Sequence, residues 1–232
     1  MFFSFLSGKQ RLLLSISIAS AIAFLCLIDL RPYPGCVLLK WLPVGTLGFV
    51  VLFSRFSGMV LFFAIAIFFH STGDVLLEID RVKYLRLAML FFGIGHLGYI
   101  ISFWQNRIKP LNIYKNRIPM LAIMILLSIG MFLLLYPRLE MQWKISITSY
   151  LLVIATMSIS TIFINHPSSI MSWGALLYMI SDSMIAINTF VWKCSLLPYG
   201  ICPTYYLGQT MIILGFLQML DYRRQLSFSK AG

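Results

Sequence analysis

Apolar runs of about 17 to 22 residues recur between short polar breaks along the whole of this 232-residue chain, and that is the length a helix rising 1.5 Å per residue needs to cross the hydrocarbon layer of a bilayer. The runs are continuous rather than alternating at period two, which excludes the strands of a membrane barrel. Composition agrees, since 60% of the residues are hydrophobic and 11% charged, more apolar surface than a water-soluble domain of this size can bury. The expected fold is an all-α integral membrane protein, a single polytopic domain over 1–232. About eight transmembrane helices are expected, near 11–30, 37–54, 58–77, 86–104, 118–136, 145–164, 171–190 and 205–220. The first run follows Lys9 and Arg11 as a signal sequence would, but Leu30-Arg31-Pro32 is a poor small-residue cleavage site, so it reads as a helix that is kept. Every connection is short, and no repeat or low-complexity stretch interrupts the pattern.

An even number of spans puts both termini on one side. The densest basic loop, Arg107, Lys109, Lys115 and Arg117, shares that side with Lys9, Arg11, Arg223, Arg224 and Lys230, so both termini are expected in the cytoplasm. The bias is modest, because Arg31, Lys40, Arg81, Lys83, Arg86, Arg138, Lys144 and Lys193 fall on the other side. The formal net charge of +11 sits in short loops at helix ends, where anionic lipid headgroups explain it without nucleic acid. A bacterial plasma membrane is expected rather than a eukaryotic endomembrane. Of the four cysteines, Cys36, Cys194 and Cys202 fall near the outer face and Cys26 inside the first helix; a Cys194–Cys202 bridge is conceivable, but free thiols are the simpler reading. No Cys/His spacing suggests structural zinc.

Each ionisable side chain near the bilayer centre costs on the order of 3 kcal/mol on insertion scales, so each needs an account. Asp74 falls near the exit end of the third span and Asp182 near the middle of the seventh. Both spans run the same way, so the two carboxylates are expected to share one cavity and mark a buried active site. His96 and Tyr99 lie at i and i+3 on the fourth span, and Lys40 within a turn of the outer end of the second. His70 precedes Asp74 by four residues, Tyr178 precedes Asp182 by four, and Tyr205 precedes Gln209 by four, each pair stacking on one helix face. Simpler readings stand beside these. A lone aspartate or histidine can serve only as interhelical glue, Lys40 can snorkel to the headgroups, and Tyr205, Tyr206 and Trp192 can form an interfacial aromatic belt. The Gly93, Gly95 and Gly98 cluster around His96 predicts close helix packing there.

The segments His70-Ser71-Thr72-Gly73-Asp74 and Gly95-His96-Leu97-Gly98-Tyr99 resemble the Gly-Asp and His-x-x-Tyr blocks of the YhhN-like membrane family, whose characterised members are lysoplasmalogenases. Gly174-Ala175 with Ser181-Asp182-Ser183 and Tyr205-Tyr206-Leu207-Gly208-Gln209 resemble two further blocks, in the same order along nearly the whole chain. Lys40-Trp41-Leu42-Pro43 and the segment from Tyr150 to Met157 are weaker traces; Trp41 stands in place of a proline, and His70 in place of a small polar residue.

The resemblance implies hydrolysis of the vinyl ether bond of lysoplasmalogens, releasing a fatty aldehyde and glycerophosphoethanolamine or glycerophosphocholine, with no cofactor. It implies Asp74 and Asp182 as the catalytic pair, with Lys40, His96, Tyr99, Tyr178, Ser181, Tyr205 and Gln209 in substrate-binding or supporting roles. Vinyl ethers cleave by protonation of the alkenyl carbon, which calls for an acid and a nearby carboxylate. Asp182, the deeper of the two, is the expected acid, His96 would orient a carboxylate or water, and Lys40 would meet the phosphate. Two other classes fit the same residues: a metal-dependent lipid hydrolase with His70, His96, Asp74 and Asp182 as ligands, and a proton-coupled carrier using the acidic pair as a relay. The expected partners are a lysophospholipid substrate and membrane lipids, and a homodimer is left open.

Overall fold

The computed structural model describes residues 5–54, 57–108, 113–166 and 168–229, those at 228 and 229 without their side chains. It holds eight α-helices: α1 Gly8–Cys26, α2 Cys36–Leu52, α3 Gly58–Ile79, α4 Arg81–Gln105, α5 Ile118–Leu135, α6 Met141–Ser160, α7 Ile170–Phe190 and α8 Leu197–Ser229. Short 3-10 turns follow several of them, and one isolated antiparallel bridge joins Arg107 to Ile164. Seven of the eight are long and apolar enough to cross a membrane. The exception is α2, apolar but only 17 residues long, which gives it about 25 Å of rise against a hydrocarbon core of about 30 Å. The expectation of eight full spans is refined accordingly. α2 is shielded by its neighbours, since most of its length, Val44 to Gly48 included, is buried.

Helices pack in chain order from α1 to α4, after which α4 meets α6 rather than α5; α6 meets α7, α7 meets α8, and α8 returns to α1 and α2. α5 lies outside against α6 and α7 and exposes Ile123, Leu126, Ile129 and Leu133, as a helix facing lipid on most of its circumference must. The connections α1–α2, α3–α4, α5–α6 and α7–α8 gather at one end of the bundle, here the mouth end. The start of α1 and the end of α8 lie at the other.

Two close crossings carry the interior. A Cβ at Gly95 would lie 2.7 Å from His70 Nε2 and 2.9 Å from the Ala66 carbonyl, and one at Gly98 2.6 Å from the Ala66 Cβ. α3 and α4 therefore touch backbone to side chain, and His70 is brought against His96. The third glycine of that cluster, Gly93, faces open space, so only two of the three do the packing expected of them. On the other side of the core, a Cβ at Gly174 would lie 2.7 Å from the Gly208 carbonyl, bringing α7 and α8 into backbone contact. Small residues at such crossings replace the hydrophobic drive that lipid cannot supply.

Helix ends depart from the sequence reading where caps act. Asp80 accepts from Val82 N and Lys83 N, starting α4 at Arg81, ahead of the apolar run itself. α8 starts at Leu197 rather than near 205, because Pro198 lies in its first turn, where no helical N–H is required. Beyond it, Thr204 Oγ donates 2.6 Å to the Gly200 carbonyl in the stretch interrupted by Pro203. That places Cys202 inside the bundle. All four cysteines are free thiols.

At the terminal end, Arg117 is buried, 1% exposed, and donates to the carbonyls of Ile162, Ile164, His166 and Ser168. One member of the basic loop is thus a structural tie across the α6–α7 connection rather than a solvated charge. Lys109 and Lys230 lie outside the described residues.

Candidate active site

A 350 Å³ cavity opens at the mouth end, and Asp74 and Asp182 both line it together with Lys40, Phe92, Cys202 and Tyr205. Arg31, Glu78, Asp80 and Arg81 form its rim. At 1.5 Å per residue, Asp74 lies about 7 Å and Asp182 about 12 Å below the ends of their helices at Ile79 and Phe190. Asp182 is deeper by about one turn, as expected. It is nevertheless the more open of the two, half-buried where Asp74 is 3% exposed.

The two carboxylates have different company. Asp74 Oδ2 accepts 2.7 Å from the Tyr205 hydroxyl, and Oδ1 lies 4.0 Å from Lys40 Nζ. Lys40 is buried, not snorkelling: its ammonium is 3.6 Å from Cys202 Sγ and lies over the rings of Phe24 and Tyr206, at 4.7 and 5.3 Å. Asp182 Oδ2 accepts 2.5 Å from the Tyr150 hydroxyl, and no cation lies within 4.0 Å of Asp182 among the described residues. The same hydroxyl oxygen is 3.4 Å from His96 Nε2. If Tyr150 donates to Asp182, its oxygen accepts from a proton on Nε2, which leaves His96 Nδ1 bare; Nδ1 indeed has no partner among the described residues. His96 thus reaches Asp182 through Tyr150, and among the described residues no hydrogen bond is made to Asp182 Oδ1.

Behind this layer lies a second. His70 Nδ1 is 3.1 Å from the Tyr178 hydroxyl, Tyr99 donates 2.8 Å to Gln209 Oε1, and the His70 and His96 rings sit edge to face at 4.7 Å. Ser181 donates 2.9 Å to the Ile201 carbonyl, tying α7 to α8. Of the residues named from sequence, Asp74, Asp182, Lys40 and Tyr205 line the cavity, His96 stands two hydrogen bonds away through Tyr150, and Tyr99, Tyr178, Ser181 and Gln209 stand behind. Tyr205 and Tyr206 are buried rather than belted at the interface, whereas Trp192 is 68% exposed. Among the described residues no group of three or more His, Cys, Asp or Glu is placed to hold a metal ion. Tyr150 was missed. The only signals for it were a phenol in mid-span on the sixth helix and the weaker family trace that begins there.

A small, strongly apolar chamber of 60 Å³ adjoins the cavity and shares Leu77, Phe92, Asp182 and Ile185 with it. Leu85, Met89, Met131, Ile147 and Ile154 continue its wall. The arrangement is a pair of carboxylates, one balanced by a buried cation and one at the door of a hydrocarbon-lined chamber.

The YhhN family model matches residues 36–216, a segment that contains every residue of this arrangement except Phe24 and the Arg31 rim. The chain belongs to the YhhN family. Relatives named lysoplasmalogenase align with it at low identity. Bovine lysoplasmalogenase TMEM86A is 26% identical over 178 residues, 72% of this chain and 70% of the bovine protein. Human lysoplasmalogenase TMEM86B is 29% identical over 183 residues, 78% and 75% of the two chains, and the rat TMEM86B protein 25% identical over 148 residues, 64% and 58%. No solved structure gives a significant match. As a YhhN-family chain with seven helices long and apolar enough to span a bilayer, this is a multi-pass membrane protein with relatives named lysoplasmalogenase.

Proposed function

We propose that this protein hydrolyses the vinyl ether bond of lysoplasmalogens, with Asp182 as general acid and Asp74 as its ionised partner. The observation that carries the proposal is the unequal environment of two aspartates on one cavity wall. Lys40 and the Tyr205 hydroxyl balance negative charge on Asp74, whereas among the described residues Asp182 has only a neutral phenol, which donates to Oδ2. Paired carboxylates with divergent surroundings divide acid and base roles in this way.

A lysolipid would place the first carbons of its alkenyl chain at the apolar chamber, with the rest of the chain reaching toward lipid, and its glycerol toward the rim, with the ether bond between the aspartates. Asp182 transfers its proton to the alkenyl carbon next to the ether-bearing one, giving an oxocarbenium ion that Asp74 stabilises by charge. Water adds to that cation as Asp74 takes its proton, forming a hemiacetal. In the collapse, Asp182 accepts the hemiacetal hydroxyl proton and Asp74 returns its own to the glycerol oxygen. The products are fatty aldehyde and glycerophospho-alcohol, and both aspartates recover their starting states with one water consumed.

Purified protein in lipid bilayers should release aldehyde from alkenyl-glycerophosphoethanolamine and none from the matching saturated ether or acyl ester. In D₂O the aldehyde should carry one deuterium beside the carbonyl, and in H₂¹⁸O the glycerol oxygen should stay unlabelled. Ester cleavage without vinyl ether cleavage, or ¹⁸O in the glycerol product, would overturn the assignment.

A further inference from the structure

Three of the eight cations that weaken the orientation bias in the sequence gather at one place on the mouth end. Arg81 at the start of α4, Arg138 in the α5–α6 connection and Lys193 in the α7–α8 connection line one open vestibule of 730 Å³. None of the three has a carboxylate within 4.0 Å among the described residues. Arg31, on the neighbouring rim, is already paired with Glu78 at 3.3 Å. Among the described residues the one carboxylate on the vestibule wall is Glu140, which accepts 2.7 Å from Gln142 Nε2. Arg81 lines both the vestibule and the aspartate cavity. Leu85, Thr189 and Phe190 line both the vestibule and the apolar chamber.

We infer that this vestibule is the seat of a zwitterionic phosphodiester headgroup, Arg81 taking the phosphate and Glu140 the ammonium. The inference rests on the lysolipid reading of the aspartate cavity and adds to it the residues that would seat the headgroup. Three cations against one carboxylate favour an anion, and a guanidinium without a carboxylate partner keeps its planar donor fork for two phosphate oxygens. The order follows from connectivity. In a lysolipid the phosphate is attached to the same glycerol that bears the ether, so it meets the cation shared by both cavities. The amine lies beyond the phosphate, toward the vestibule's own wall, where Glu140 stands. A volume of 730 Å³ is in the range of small-molecule sites, about 300 to 1,000 Å³.

The test is binding rather than turnover, with the full chain in detergent and three ligands with the same saturated 1-O-alkyl chain: alkylglycerophosphoethanolamine, alkylglycerophosphate and alkylglycerol. The wild type should bind the phosphoethanolamine lipid at least about tenfold more tightly than alkylglycerol, with Arg81→Gln reducing that ratio below about threefold and Arg81→Lys keeping most of it. Glu140→Gln should lower the affinity for the phosphoethanolamine lipid relative to that for alkylglycerophosphate, whichever of the two the wild type binds more tightly. Lys83→Gln, exposed on the same turn but outside the cavity, should leave both ratios unchanged, which separates a seat from general surface charge. Should Arg81→Gln not fold, Lys193→Gln reads the same phosphate ratio. Equal affinity of the wild type for lipids with and without phosphate, or equal loss in Arg81→Gln and Lys83→Gln, overturns the inference. Headgroup discrimination without any vinyl ether cleavage would contradict the hydrolase reading alone, and cleavage without discrimination would contradict the vestibule alone.

Discussion

Tyr150 shows how a residue without an ionisable charge at neutral pH can hold a site together. Its hydroxyl donates to Asp182 Oδ2 and meets His96 Nε2, so it fixes both the rotamer of the carboxylate and the tautomer of the imidazole. Removing a hydrogen bond to a carboxyl group costs about 1.5–3 kcal/mol where it is made in full. Tyr150→Phe should therefore lower kcat by about tenfold to a hundredfold while keeping the fold, and His96→Gln should lower it less in the Tyr150→Phe background than in the wild type. Additive losses in that double-mutant cycle, measured by aldehyde release, would show that the two residues act apart. At this scale the sequence was informative wherever cost was concentrated. Asp74, Asp182, Lys40 and His96 are expensive in a membrane and stand out for that reason. Tyr150 does not, because tyrosine is ordinary in a membrane span, and only the α4–α6 contact reveals what it touches.

Element ends and crossings were legible in proportion to how local their causes are. The apolar runs place eight helices in order, but α4 and α8 begin well before their apolar runs because Asp80 and Pro198 shape their first turns. The glycine cluster on α4 read as one packing surface, yet Gly95 meets α3 and Gly93 meets nothing; helical phase relative to a partner is not written in one strand of sequence. The contrast makes a prediction. Gly95→Ala should destabilise the protein by about 1–3 kcal/mol through overpacking against His70 and the Ala66 carbonyl, whereas Gly93→Ala should leave its melting temperature in detergent unchanged or slightly raised. Equal effects of the two changes would contradict the crossing of α3 and α4 described here.

For the whole molecule, the sequence conveyed class, order and the sharing of one cavity by two parallel helices, while the ring from α4 to α6 past α5 and the clustering of mouth-end cations needed three dimensions. We propose that both termini face the cytoplasm, which Arg117, buried as a structural tie, supports less than its charge suggests. Reporter tags at either end should therefore be found on the cytoplasmic side, and finding them on opposite faces would contradict an even number of crossings. The central claim is that two carboxylates in one mouth-end cavity perform acid–base cleavage of a vinyl ether. Its most direct test is aldehyde release from alkenyl-glycerophosphoethanolamine by purified Asp74→Asn and Asp182→Asn, each shown to be folded by its melting transition and to bind the saturated ether analogue. Asn nearly preserves shape but cannot carry the proton or the charge, so each variant should lose about 10²- to 10⁴-fold in rate, and near-wild-type turnover by either folded variant would contradict the account.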